Sequence, residues 1–295
     1  MPSARLPLAA AALAAVLGLA STSGSVLLAV GIAIVQIVFA LGVVGSSDLS
    51  SARAAGWLGL TAGIGALVWI ELSGTADLTP MAGVLGPTVL AAFVIQLLRR
   101  DGRSGLNTAL SLVVTACVLI VMPVLWLSLH TTPEGTHTVT LALLGVGTVA
   151  LAEALPISRA VRRVVGVLVA STGAAVLVSL VNTLGEAVPA VSAVVIAAFA
   201  GVMSAVAFAV ADRLAGESGL GLPVASPNDD DLSGAADAEP GLTASGAGGV
   251  AAPATNVPVT AAATNAPASI APLRVVGPFV AAAPAAYVLG QLLVG

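Results

Sequence analysis

Residues 26–45 read VLLAVGIAIVQIVFALGVVG, twenty positions with no charge and one amide, Gln36. Residues 189–211, PAVSAVVIAAFAGVMSAVAFAVA, are equally bare of charge. A hydrocarbon core of about 30 Å takes roughly 20 apolar residues in a helix. A helix is required because no water is there to satisfy the backbone. Composition extends the argument to the whole chain. Of 295 residues, 58% are hydrophobic and 8% are charged, and the mean hydropathy is +1.08. An ordinary soluble domain carries about 25% charged residues, so a soluble globular fold is excluded. Apolar runs bounded by charges or turn residues predict about nine spans, at 6–20, 26–45, 56–72, 81–98, 106–129, 138–155, 164–182, 189–211 and 273–294. The expected fold class is all-α, a polytopic transmembrane helix bundle.

The positive charges orient it. The chain has no lysine, and its ten cations are all arginine. Arg5, Arg53, the triplet Arg99, Arg100 and Arg103, the triplet Arg159, Arg162 and Arg163, and the pair Arg213 and Arg274 all fall in alternate connections. The intervening connections hold none. Cytoplasmic loops collect positive charge, so the pattern predicts a multi-pass protein of the cell (plasma) membrane, N-terminus inside and C-terminus outside. Trp57 and Trp69 fall near the two ends of the third span and Trp126 near the outer end of the fifth, the positions an interfacial ring prefers. The first run also resembles a signal peptide, with Gly18-Leu19-Ala20 as its small-residue triplet. Cleavage after Ala20 would leave eight spans and the same remaining topology.

The organisation follows. Residues 1–214 form an eight-span bundle (6–20 being the signal-peptide stretch), and 273–295 the ninth span. Residues 215–272 are rich in Ala, Pro, Gly, Thr, Ser and Asn and hold Asp229, Asp230 and Asp231. Such a stretch buries too little apolar surface to offset its chain entropy. It reads as a disordered cytoplasmic loop, either a spacer or a tether for a cytoplasmic partner.

Few residues offer chemistry. An ionisable group inside a span is costly and a functional candidate by default. Two qualify, Glu153 near the inner end of the sixth span and Glu71 near the outer end of the third. Each is either a boundary carboxylate or a proton- or cation-handling group at a cavity mouth. The two inner Arg triplets either set topology alone or contact an anionic head group. Gly86-Pro87, Pro123, Pro278 and Pro284 are candidate helix breaks, found in transporters and as plain kinks. Gly59 and Gly63 have the spacing that permits close helix approach. Single polar groups such as Gln36, Ser171, Thr172 and Ser179 are expected to bond between helices. His130 and His137 in HTTPEGTH match no metal-site template, so no metal and no cofactor is expected. Cys117 is the sole cysteine, so no disulfide can form within the chain. The net charge of −4 gives no reason to expect nucleic acid as a partner.

The segments SSARAAGWLGLTAGIGAL, FVIQLLRRDGRSGLNTALSLVV and VVGPFVAAAPAAYVLGQLLVG resemble uncharacterised multi-pass membrane proteins of high-GC actinobacteria. That resemblance implies location and topology only. The stretch from Gln96 to Leu129 is also faintly similar to the non-catalytic half of bacterial phosphatidate cytidylyltransferases. That family's catalytic signature needs Lys-Arg, Lys-Asp, His-Gly-Gly and Asp-Arg elements, and Asp212-Arg213 is the one fragment reminiscent of them.

The functional expectation is an accessory or envelope-related membrane protein without catalytic apparatus, working through membrane lipids or through another membrane or cytoplasmic protein. The alternatives are a transporter or flippase of a lipid-like or apolar substrate and a lipid-head-group enzyme. Carboxylates converging around Glu153, Asp101 and Asp212 would favour the last.

Overall fold

The structure, a computed structural model, describes residues 5–45, 50–74, 78–98, 106–181, 188–219 and 271–294. It holds ten helices among those residues: α1 (Arg5–Ser23), α2 (Ser25–Gly45), α3 (Ser50–Ser73), α4 (Thr79–Leu98), α5 (Leu106–Val121), α6 (Val124–His130), α7 (Gly135–Glu153), α8 (Arg159–Leu180), α9 (Ala190–Gly219) and α10 (Ala271–Leu293). Eight stretches are long and apolar enough to cross a membrane, with α5 and α6 counted together over Val113–His130. The expected span 81–98 is also a helix, α4, with a shorter apolar stretch at Thr79–Ile95. The all-α polytopic bundle is therefore what forms. The eighth span, expected at 189–211, is found at Ala190–Arg213, and its helix α9 continues beyond it to Gly219. Most of the expected loop, 220–270, lies outside the described residues.

Successive spans joined by short connections run antiparallel, whereas α5 and α6 continue one span across Pro123. Gly24 alone joins α1 to α2, at φ 137°, a backbone that favours glycine. Asp212 of α9 lies 2.7 Å from Arg274 of α10, so α10 starts at the end where Asp212 lies. The described arginines accordingly sit at one end of the bundle, here called the arginine end, and His130 sits at the other.

What faces inward is small. The helix α8 buries Gly166, Ala170, Ala174 and Val178, an i, i+4 stripe. It exposes Val164, Leu168, Val169, Val176 and Leu180. The reason is that lipid tails are as apolar as a protein core, so helices associate by close contact rather than by apolar burial. At the crossing of α7 and α9, a Cβ built on Gly145 would overlap the carbonyl oxygen of Ala197. Gly59 and Gly63 both make close approaches, but to different partners: Gly59 to Ile120 of α5, and Gly63 to the Gln36 amide of α2.

The prolines divide. Pro123 separates α5 from α6, and the next amides, Leu125 and Trp126, bond three residues back, to Met122 and Pro123. Pro87 lies within continuous α4, and Pro278 and Pro284 within continuous α10. Neither they nor Gly86 interrupts a helix.

Two expectations are corrected. Trp126 is in the core, 2% exposed, and its Nε1–H donates to the Phe279 carbonyl at 3.2 Å. Trp57 and Trp69 are exposed, as belt residues should be. Ser171, Thr172 and Ser179 bond to carbonyls of their own helix, four residues back. A hydroxyl on a helix always has such a carbonyl in reach. Interhelical polar contacts come instead from Ser21 with Thr140 (2.9 Å), from His130 with the Ser21 carbonyl (2.8 Å) and from Ser25 with Glu71 (2.8 Å).

Candidate anion site at the arginine end

The site begins with a helix stop. Pro156 lacks an N–H and disfavours helix in the residue before it, and α7 ends at Glu153. Ser158 is extended, at φ −60° and ψ 144°, and α8 starts at Arg159. The Ser158 side chain makes no capping bond, which leaves the first amides of α8 open at the positive end of its dipole. Arg159, Arg162 and Arg163 follow at i, i+3 and i+4, so they share one face. Gly166, next on that face, lets α8 approach α7: a Cβ there would lie 3.0 Å from both the Val149 Cα and the Ala152 Cβ. This close crossing carries the arginines onto Glu153.

Glu153 is buried, 7% exposed. Arg163 Nε donates to its Oε1 at 2.8 Å. Arg162 Nε lies 2.8 Å from Oε2. The contact is an ion pair out of line for a hydrogen bond, and Nε has no hydrogen-bond partner among the described residues. Arg162 Nη1 instead donates to the Glu153 carbonyl at 3.2 Å. Arg163 reaches further, Nη2 donating to Asp212 Oδ2 at 2.7 Å. Arg274 Nη2 donates to Asp212 Oδ1 at 2.7 Å. Two carboxylates and three arginines from four helices thus form one network. Beneath it Ala10, Val149, Ala150 and Phe208 form an apolar floor. A charge in such a place persists only when paired.

Beside the network lies a cavity of about 470 Å³. Arg159, Arg162, Arg274, Glu153 and Asp212 form its polar wall, and Leu6, Pro7, Ala154, Leu155, Pro156 and Phe208 its apolar wall. Arg159 is exposed and makes no side-chain ion pair or hydrogen bond among the described residues. With Arg163, four arginines stand against two carboxylates, an excess of two positive charges.

Of the residues singled out in the sequence, Glu153, Arg159, Arg162 and Arg163 come together here. Glu71 is at the opposite end of the bundle, half-buried, accepting the Ser25 hydroxyl. Arg99, Arg100, Arg103 and Asp101 lie outside the described residues. Asp212 joins Glu153 as a converging carboxylate, bridged to it by Arg163. Arg274 was legible only as a topological charge. Its one signal was a position just inside the start of the last apolar run.

Comparison with protein-family models, curated proteins and solved structures finds no match to this chain. The membrane-spanning bundle is what defines the protein's class.

Proposed function

We propose that this is an accessory or envelope-related component of the cell membrane, without catalysis of its own, that holds the anionic head group of a membrane lipid at its arginine end, on the cytoplasmic side. The observation that carries the reading is the cavity in which the unpaired Arg159 stands beside Arg162 and Arg274. A phosphate entering it meets surplus positive charge and the open N-terminus of α8. Its apolar wall suits the glycerol and upper chain that follow a head group.

The convergence of Glu153 and Asp212 does not favour a lipid-head-group enzyme. All four of their oxygens already face arginine nitrogens within 2.8 Å. Neither carboxylate is left to take a proton from a substrate.

The test is titration of the purified full chain with dioleoyl phosphatidylglycerol, read by native mass spectrometry. Arg159→Gln removes the free cation and leaves the ion pairs intact. Binding should weaken about tenfold, the worth of one charge-assisted contact of about 1.4 kcal/mol. Arg213→Gln, on an exposed cation absent from the cavity wall, should change nothing. Equal binding by wild type and Arg159→Gln would sink the proposal.

A further inference from the structure

Resting on that head-group reading, we infer that the same lipid lays one acyl chain in the groove between α1 and α7, so that the site selects a long-chain anionic lipid over a free phosphate. The groove is a second cavity, of about 510 Å³. Its walls are almost wholly carbon. Ala11, Ala15 and Gly18 of α1 face Leu144, Gly147 and Leu151 of α7, and Leu177 of α8 closes one side. These positions recur every three or four residues, so they form one stripe on each helix. Because Ala11, Ala15 and Gly18 are all small, the stripe on α1 is recessed.

The two cavities share no wall residue but lie one helical turn apart along α1, and that alignment makes the groove a chain site rather than a bare flank. One turn from Ala11 the stripe on α1 reaches Pro7, and Leu155 lies in the turn that follows the end of α7 at Glu153. Both line the arginine cavity. Four residues of helix are about 6 Å. From Pro7 to Gly18 is about 16 Å by the same rise, half of a hydrocarbon core of about 30 Å. A head group at Arg159 therefore has one leaflet's depth of recessed wall leading away from it. Within a bilayer the chain gains nothing by leaving water, so shape contact in the groove supplies the preference. That preference is modest and is sensitive to filling the groove.

Gly18→Leu fills it. A Cβ on Gly18 meets nothing within 4 Å, and leucine is the better helix former, so the bundle tolerates the change while the side chain occupies the groove. The full chain in detergent is titrated with dioleoyl phosphatidylglycerol, dihexanoyl phosphatidylglycerol and inorganic phosphate, and bound species are counted by native mass spectrometry. In Gly18→Leu the dioleoyl lipid should bind about tenfold more weakly and the dihexanoyl lipid as in wild type. Arg159→Gln should weaken both. As a second readout, a dioleoyl analogue with a mid-chain diazirine should label residues 11–22 or 140–151 of the wild-type chain. Unchanged dioleoyl binding in Gly18→Leu, or labelling confined to other helices, overturns the groove and leaves the head-group reading standing. Phosphate binding as tightly as the dioleoyl lipid overturns the chain's role. No binding of any probe to wild type overturns the head-group reading and this inference with it.

Discussion

Glu153 and Asp212 are held together by a single guanidinium: Arg163 donates 2.8 Å to one and 2.7 Å to the other. They lie on different helices, α7 and α9, and α8 threads its arginine between them. The two carboxylates are not equivalent. The Glu153 side chain is 5% exposed, and that of Asp212 is 21%. Removing one member of a buried pair strands the other's charge, at about 3 kcal/mol or more. A partly exposed pair is screened and contributes up to about 1 kcal/mol. Glu153→Gln should therefore lower the unfolding midpoint in detergent well beyond Asp212→Asn. Equal shifts would contradict the burial difference.

At the crossing of α7 and α9, Gly145 is irreplaceable for a steric reason. Its added Cβ meets backbone, the Ala197 carbonyl, which no rotamer change can move. Gly145→Ala should cost about 2 kcal/mol, typical of overpacking. Gly18→Ala, with open space around its Cβ, should be neutral or stabilising by up to about 1 kcal/mol. Thermal unfolding of the two variants side by side checks the ranking.

Gln36 is fully buried, and among the described residues neither its Oε1 nor its Nε2 has a hydrogen-bond partner. A buried amide in that state costs about 1–3 kcal/mol. Gln36→Leu should raise the midpoint. A Cβ on Gly63 would lie 2.7 Å from the Gln36 Nε2, so Gly63→Ala should be harmful in wild type and milder beside Gln36→Ala. A double-mutant cycle with zero coupling would show that the two positions do not press on each other.

Trp126 ties α6 to α10 through the Phe279 carbonyl. Trp126→Phe removes that bond from a buried ring, while the Phe279 carbonyl stays within α10, and should cost about 1 kcal/mol. Trp57→Phe changes an exposed ring and should leave the midpoint within about 0.5 kcal/mol. Tryptophan emission adds a check: Trp126→Phe should remove the component shielded from aqueous and lipid-borne quenchers.

Much of the fold was legible because hydropathy is local. Apolar runs located the helices, Pro123 marked the break between α5 and α6, and the arginines marked one end of the bundle. Part of the site was legible too, since Glu153, Arg159, Arg162 and Arg163 stand within eleven residues of one another. The inward face of each helix was not. Core and lipid are equally apolar, so α8 shows its buried side only as the small residues Gly166, Ala170 and Ala174. Trp126 was misjudged for the same reason, because distance from a span's end says nothing of whether a side faces lipid or protein.

By itself, then, the sequence determined that this chain spans a membrane as helices, and that its positive charge gathers at one end. Both follow from the solvation of single residues. Only the tertiary structure decided that Arg163 lies between Glu153 and Asp212, that Arg274 completes the network, and that Arg159 stands beside a cavity with no ion-pair partner among the described residues. Those outcomes depend on how closely α7, α8, α9 and α10 approach, which is set by glycine and alanine contacts between segments far apart in the chain.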